Sequence, residues 1–253
     1  MAISQMISHI TVRSFFSLSF VNIMCFSAQA SLIAGVSLCA IWVYPLIIVK
    51  SRNYLPLALT PLLFWLQQIV EWFVWLGLSH GSVIGWVQLW TYGFLFFSQI
   101  FRVTRAPYMF WHSETWKHKQ RLNILVIIGI ILSSYLAYYL VQYGWQASIL
   151  ERHIQYSLSL PPQAVLVVYI IYGLTTIGAP LMSSRVHIQL RGITLFILAC
   201  ATYLLYEQYF TSIWCFCAAI LSIYICYIIK VDGTNQKILI NHGEDITSLI
   251  SKL

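Results

Sequence analysis

Glu71 is the only charged side chain between Asn53 and Phe101. A carboxylate inside an apolar span costs about 2.5–3.5 kcal/mol on insertion scales, so it faces a partner or a cavity rather than lipid. On a helix, Gln67 lies one turn away on the same face and Gln68 sits at the three-residue spacing. A carboxyl flanked by amides can relay a proton, hold a ligand or act as acid or base. It can equally be a protonated acid that fastens two helices together.

Two thiols form a second feature. Cys25 opens Cys25-Phe26-Ser27-Ala28, and Cys215 opens Cys215-Phe216-Cys217-Ala218. If both lie at the same end of a helix bundle they can pair as a disulfide, bind a metal, present a reactive thiol, or only pack. His153 is the third feature, followed by Gln155 and Tyr156 as potential ligand contacts. Cys25, Glu71, His153 and Cys215 together would suit a tetrahedral, zinc-like divalent metal, and Cys25 with His153 would make an activated thiol nucleophile. None of these residues forms a local spacing motif. Only the fold can bring them together.

The elements that must do so are membrane helices. Of 253 residues 60% are hydrophobic and 8% are charged, against roughly 25% charged in soluble domains. Lipid is therefore the solvent for most of the chain. The net charge of +7 falls in clumps at the ends of apolar runs, without the basic stripe of a nucleic-acid binder.

Spans of about 20 residues fit near Ser27–Val49, Leu55–Leu78, Val83–Phe101, Leu122–Val141 and Ala164–Met182. The run Gly192–Ile229 must be a hairpin that turns near Glu207–Ser212. The polar stretch Gln142–Pro162 reads as a loop with a short interfacial helix around Ser148–Tyr156. The predicted fold class is all-α and polytopic, with seven transmembrane helices. Alternating loops then leave all of the 14 Lys and Arg residues except Arg13 and Arg152 on one side. By the positive-inside rule the chain is N-out and C-in. Arg102, Arg105 and Arg191 count among the cytosolic loop charges in this scheme.

Residues 1–23 form an N-terminal extension or signal-like segment, 24–230 the transmembrane domain and 231–253 a cytosolic tail. Arg13, the run Phe15–Phe26 and the small residues Ala28 and Ala30 fit a cleavable signal peptide; the rival is a start at Met24.

From Met24 onward the chain resembles a family of small, uncharacterised bacterial membrane proteins beginning Met-Cys-Phe-Ser. The pieces that carry the resemblance are Met24-Cys25-Phe26-Ser27-Ala28, Leu55-Pro56-Leu57-Ala58, Pro61-Leu62-Leu63-Phe64, Gln67-Gln68 with Glu71, and Val74-Trp75-Leu76-Gly77-Leu78. His153-Ile154-Gln155-Tyr156 and Trp214-Cys215-Phe216 complete it. The resemblance implies a multi-pass fold in a bacterial inner membrane and a start at Met24. It implies no activity.

Several functions are disfavoured. A retinal protein needs a Lys inside the last helix, and Lys230 sits only at its end. Haem needs histidines within spans, and a nucleotide needs a Gly-rich phosphate loop; neither pattern is present. The leading expectation is an outward-facing polar site for a metal or small ligand, built from Cys25, Glu71, His153, Gln155 and Cys215. Tyr203 and Glu207 share its outer rim. One alternative is a proton-coupled small-solute transporter using Glu71, which would require polar groups in the inner halves of the spans as well. Another is a structural or assembly protein with no site.

Overall fold

The computed structural model describes residues 28–81, 83–114, 116–150, 153–158, 160–206 and 209–231. Cys25, Glu207, Arg13, Arg152 and the expected extension and tail lie outside these residues. Six helical segments are long and apolar enough to cross a membrane: Ser31–Ile48, Arg52–Ser79, Trp116–Tyr143, Pro162–Leu181, Val186–Leu205 and Phe210–Val231. Their surfaces are inverted relative to a soluble protein. Ile33, Ile47, Ile124, Ile131, Val141, Leu166 and Leu204 are exposed, while Gln67, Gln68, Glu71, Ser98, Thr175 and Arg191 are buried. That is the arrangement expected where lipid, not water, covers the outside.

The first rod is α1 (Ala28–Ile41) continued by α2 (Val43–Ile48). After a 3-10 turn at Arg52–Tyr54, α3 (Leu55–Ala58) leads into α4 (Thr60–Ser79), which lies along α1. Gly81, with φ of +60°, reverses the chain into α5 (Ile84–Leu95). This rod does not stop at Phe101 as expected. A π-helical stretch at Phe96–Phe101 carries it into α6 (Arg102–Ser113), so Arg102 and Arg105 are helical residues and not loop charges. Next comes α7 (Trp116–Tyr143), which packs closely on α6. A Cβ placed on Gly129 would come within 2.7 Å of the Val103 carbonyl oxygen, so glycine is what allows that approach.

Gly144, at φ +69°, then opens an antiparallel hairpin of β1 (Trp145–Leu150) and β2 (His153–Leu158). This replaces the expected interfacial helix. The reason is a period of two: Ile154 and Tyr156 pair across from Ile149 and Ala147 and pack on the hydrophobic core together with Trp145 and Ala147. The opposite face carries His153, Gln155 and Ser157.

After the hairpin, α8 (Pro162–Gly173), a second π-helical stretch at Leu174–Gly178 and α9 (Ala179–Leu181) form one rod. The last two are α10 (Val186–Tyr206) and α11 (Phe210–Ser222). One helix ends at Tyr206 and the next begins at Phe210, within the Glu207–Ser212 region where the hairpin was expected to turn.

Both π stretches leave carbonyls without their usual helical partners, and neighbouring side chains supply donors. Tyr172 donates to the Ser98 carbonyl at 2.7 Å and Ser133 to the Ile100 carbonyl at 2.7 Å. Thr175 and Thr176 donate back to carbonyls at Ile171 and Tyr172.

At the end of the bundle where α6 meets α9, Glu114 is buried. It accepts hydrogen bonds from the Ser183 hydroxyl and from both the amide and hydroxyl of Ser184. Arg185 donates to the Ser113 carbonyl and lies over the Tyr54 ring, which ties four segments at one rim.

Candidate functional site

Glu71 lies on the buried face of α4 and is fully enclosed. Its Oε1 accepts a hydrogen bond from the Ser212 hydroxyl on α11 at 2.5 Å, and its Oε2 accepts from Gln68 Nε2 at 3.3 Å. The buried Ser31 of α1 stands beside the same carboxyl. The helical spacing that grouped Gln67, Gln68 and Glu71 in the sequence is thus realised, and the carboxyl ties α4 to the last helix.

One turn along α4, Gln67 Oε1 accepts from Arg102 Nη2 at 2.7 Å. The Arg102 guanidinium also covers the Phe64 ring at 4.7 Å. Cys215 is completely buried on α11, within electrostatic reach of Glu71, Arg102 and Gln67. The structure therefore brings Cys215 and Glu71 together.

The hairpin contributes Tyr156, stacked on Phe94 with ring centroids 4.7 Å apart. Its phenol is held protonated, well above tyrosine's ordinary value, first by burial and then by the nearby Glu71 and Cys215. The hydroxyl itself has no hydrogen-bond partner. His153 and Gln155 lie on the other strand face, and the His153 ring packs on Tyr209 at 4.6 Å. Strand alternation thus separates His153 and Gln155 from Tyr156. Among the described residues no group of three or more His, Cys, Asp or Glu side chains converges; Cys25 lies outside them.

On the far side of Gln67 the bundle holds a half-open cavity of about 60 Å³. That is several times the ~10–15 Å³ that admits one water. Its walls are mostly apolar, with Phe64, Phe97, Phe101, Phe110, Trp214 and Ala218. Its polar lining is Thr60, Gln67, Thr176 and three arginines, Arg102, Arg105 and Arg191. Arg105 is oriented by the Pro56 carbonyl at 2.7 Å and the Thr60 hydroxyl at 3.0 Å. Arg191 is 4% exposed, and its Nε and Nη1 have no hydrogen-bond partner; neither has Nη1 of Arg102. The π stretch at Phe96–Phe101 directly precedes Arg102 and Arg105 and sets the rotation of their helix. One extra residue rotates the following helix by about 100°, one residue's share of a 3.6-residue turn.

Thr60 and Glu71 mark the two ends of this polar system. Eleven residues at 1.5 Å each separate them by about 16 Å along α4, roughly half of a 30 Å hydrocarbon core. Sequence reasoning found the Glu71 end because one charge stood in a long apolar run. It missed the arginines because each sits next to an apolar stretch and reads as a loop charge. The signal that would have found Arg102 and Arg105 is their three-residue spacing, continued by Ala106, Met109 and Phe110 as one buried helical face.

No curated protein and no solved structure matches the chain. The chain belongs to the family of unknown function DUF6629, whose sequence profile spans residues 24–237.

Proposed function

We propose that the protein is a seven-span membrane carrier, N-out and C-in, that binds a small polar solute in the arginine-lined cavity. The observation that carries this reading is a row of buried polar side chains along the bundle. It runs from Tyr156 and the hydrogen-bonded pair Glu71 and Gln68 to the pair Gln67 and Arg102, and on to Arg105 at the same cavity. In the N-out orientation α4 runs outward, so Glu71 belongs to the outer half and the arginine-lined cavity to the inner half. A carrier needs polar groups in both halves, and Arg102, Arg105, Arg191, Thr60 and Thr176 supply the inner set. The rod Ile84–Ser113 would be the seventh span, its two arginines shielded from lipid by facing the cavity.

The test is a thermal-stability screen of the detergent-purified protein against a panel of small anionic, cationic, zwitterionic and neutral solutes. It is run beside Ala218→Trp, which fills the cavity from a buried wall position. A solute that binds the folded state raises its melting temperature by mass action. The expected result is at least one solute that stabilises the wild type and not Ala218→Trp, and that enters proteoliposomes containing the wild type. Stabilisation that survives in the filled cavity, or none from any solute class, overturns the reading.

A further inference from the structure

We propose that the cavity lined by Arg102, Arg105 and Arg191 is an oxyanion site, and that its ligand carries a phosphate-type group. This rests on the cavity being a solute site and names the chemistry of its occupant.

Three observations converge. First, three guanidinium groups line one cavity, and among the described residues no Asp or Glu lines it with them. Like charges in a low-dielectric interior repel strongly, and Arg105 lies within electrostatic reach of both Arg102 and Arg191. Secondly, the hydrogen-bond partners of Arg102 and Arg105 among the described residues are neutral groups: an amide oxygen for Arg102, with the Cys215 thiol and Tyr172 hydroxyl beside it, and a carbonyl, a hydroxyl and the Met109 sulfur for Arg105. They aim the guanidinium groups without cancelling their charge. The carboxylate nearest them along the row, Glu71, accepts from Ser212 and Gln68 and lies within electrostatic reach of Arg102, whereas among the described residues only other arginines lie within such reach of Arg105 and Arg191. Thirdly, three buried N–H-bearing atoms remain without acceptors, Arg102 Nη1 and Arg191 Nε and Nη1. An unsatisfied buried donor is costly, more so when charged, and an anion with several oxygens answers all of them at once. Guanidinium matches phosphate and carboxylate in fork geometry. Three of them around one small cavity favour the group with more oxygens and more charge.

The same chemistry arrives from two sources, free inorganic phosphate or the phosphate of a lipid headgroup. The Phe97 and Phe101 walls would accommodate the apolar remainder of a lipid.

The experiment uses full-length protein in detergent, with inorganic phosphate as probe and chloride as the ionic-strength control. Bound phospholipid is measured in parallel by native mass spectrometry. Wild type, Arg191→Gln, Arg191→Lys and Ala218→Trp are compared. The expected result is saturable stabilisation of the wild type by phosphate at constant ionic strength. Arg191→Gln should weaken it roughly ten- to hundredfold, the equivalent of one charge-assisted hydrogen-bonding group lost. Arg191→Lys should retain part of it. Without phosphate, Arg191→Gln should melt no lower than the wild type, because it removes a repelled charge; a purely structural arginine would instead lower the melting point.

A phospholipid that copurifies with the wild type and is lost in Arg191→Gln would assign the lipid source. If neither phosphate nor lipid binds in an Arg191-dependent way, the oxyanion proposal is overturned. Should another solute still protect the wild type and not Ala218→Trp, only the ligand class has failed. If nothing protects, the carrier reading falls with it.

Discussion

Glu71 joins two helices through one carboxyl, with Ser212 on α11 and Gln68 on its own helix. Replacing it by leucine leaves a buried hydroxyl and a buried amide without an acceptor. An unmet buried polar group costs about 1–3 kcal/mol, so Glu71→Leu should lower stability by that order, while Glu71→Gln keeps an acceptor oxygen and should lose less. Adding Ser212→Ala to Glu71→Leu removes the stranded hydroxyl and should recover part of the loss. A double-mutant cycle on thermal or denaturant stability reads this directly, and simple additivity would mean that the Ser212 bond contributes nothing. Glu71 was legible in the sequence because a single charge in an apolar run is expensive enough to need a reason. Cys215 was legible only as a candidate: its place beside Arg102 and Gln67 depends on how α11 is rotated against α4.

At the scale of elements, the contact of α6 with α7 depends on Gly129. A methyl group there would stand 2.7 Å from the Val103 carbonyl oxygen, a backbone atom that cannot swing aside. Gly129→Ala should therefore destabilise the protein by about 1–3 kcal/mol, the usual penalty for overpacking. Gly173→Ala is the control, since nothing lies within 4 Å of a Cβ there; gaining helix propensity it should be neutral or slightly stabilising. Equal melting temperatures for the two variants would sink the argument. Helix ends set by charge and turn residues were readable, as at Gly81 and at the end of α10 at Tyr206. The π stretches were not, because nothing local in Phe96–Phe101 or Leu174–Gly178 demands the extra residue. Donors on other helices, Tyr172 and Ser133, sustain the first one. The hairpin was readable in principle from the alternation of Gln146, Ser148, Gln155 and Ser157 with Ala147, Ile149, Ile154 and Tyr156. Short polar loops near membranes suggest interfacial helices equally well, and cross-strand pairing decided between them.

At the scale of the whole molecule, the charge count behind the proposed orientation changes in kind. Arg102, Arg105 and Arg191 line the cavity on helices, so they no longer count as loop charges that report a side. Lys50, Arg52, Lys117, Lys119, Arg121, Arg185, Lys230, Lys237 and Lys252 remain as the charges that argue for a cytosolic face. If the rod Ile84–Ser113 crosses the membrane, the exposed positions Ser79 and Lys117 lie on opposite sides. Single variants Ser79→Cys and Lys117→Cys in a background with the native cysteines replaced should then label from opposite faces of sealed vesicles, Ser79→Cys from outside. Labelling of both from one face would reduce the count to six and reverse the later loops.

Composition by itself determined that lipid surrounds this chain, because with 8% charged residues it cannot build a water-facing surface. Apolar run lengths determined most helices, and the cost of a buried carboxylate singled out Glu71 and the glutamines beside it. Only the tertiary structure decided where the arginines point. An arginine at the end of an apolar run satisfies the sequence equally well at a lipid headgroup or inside the bundle. The choice was made by a π turn that rotates α6, by the acceptors Gln67, Pro56 and Thr60 on neighbouring segments, and by a cavity that the guanidinium groups line.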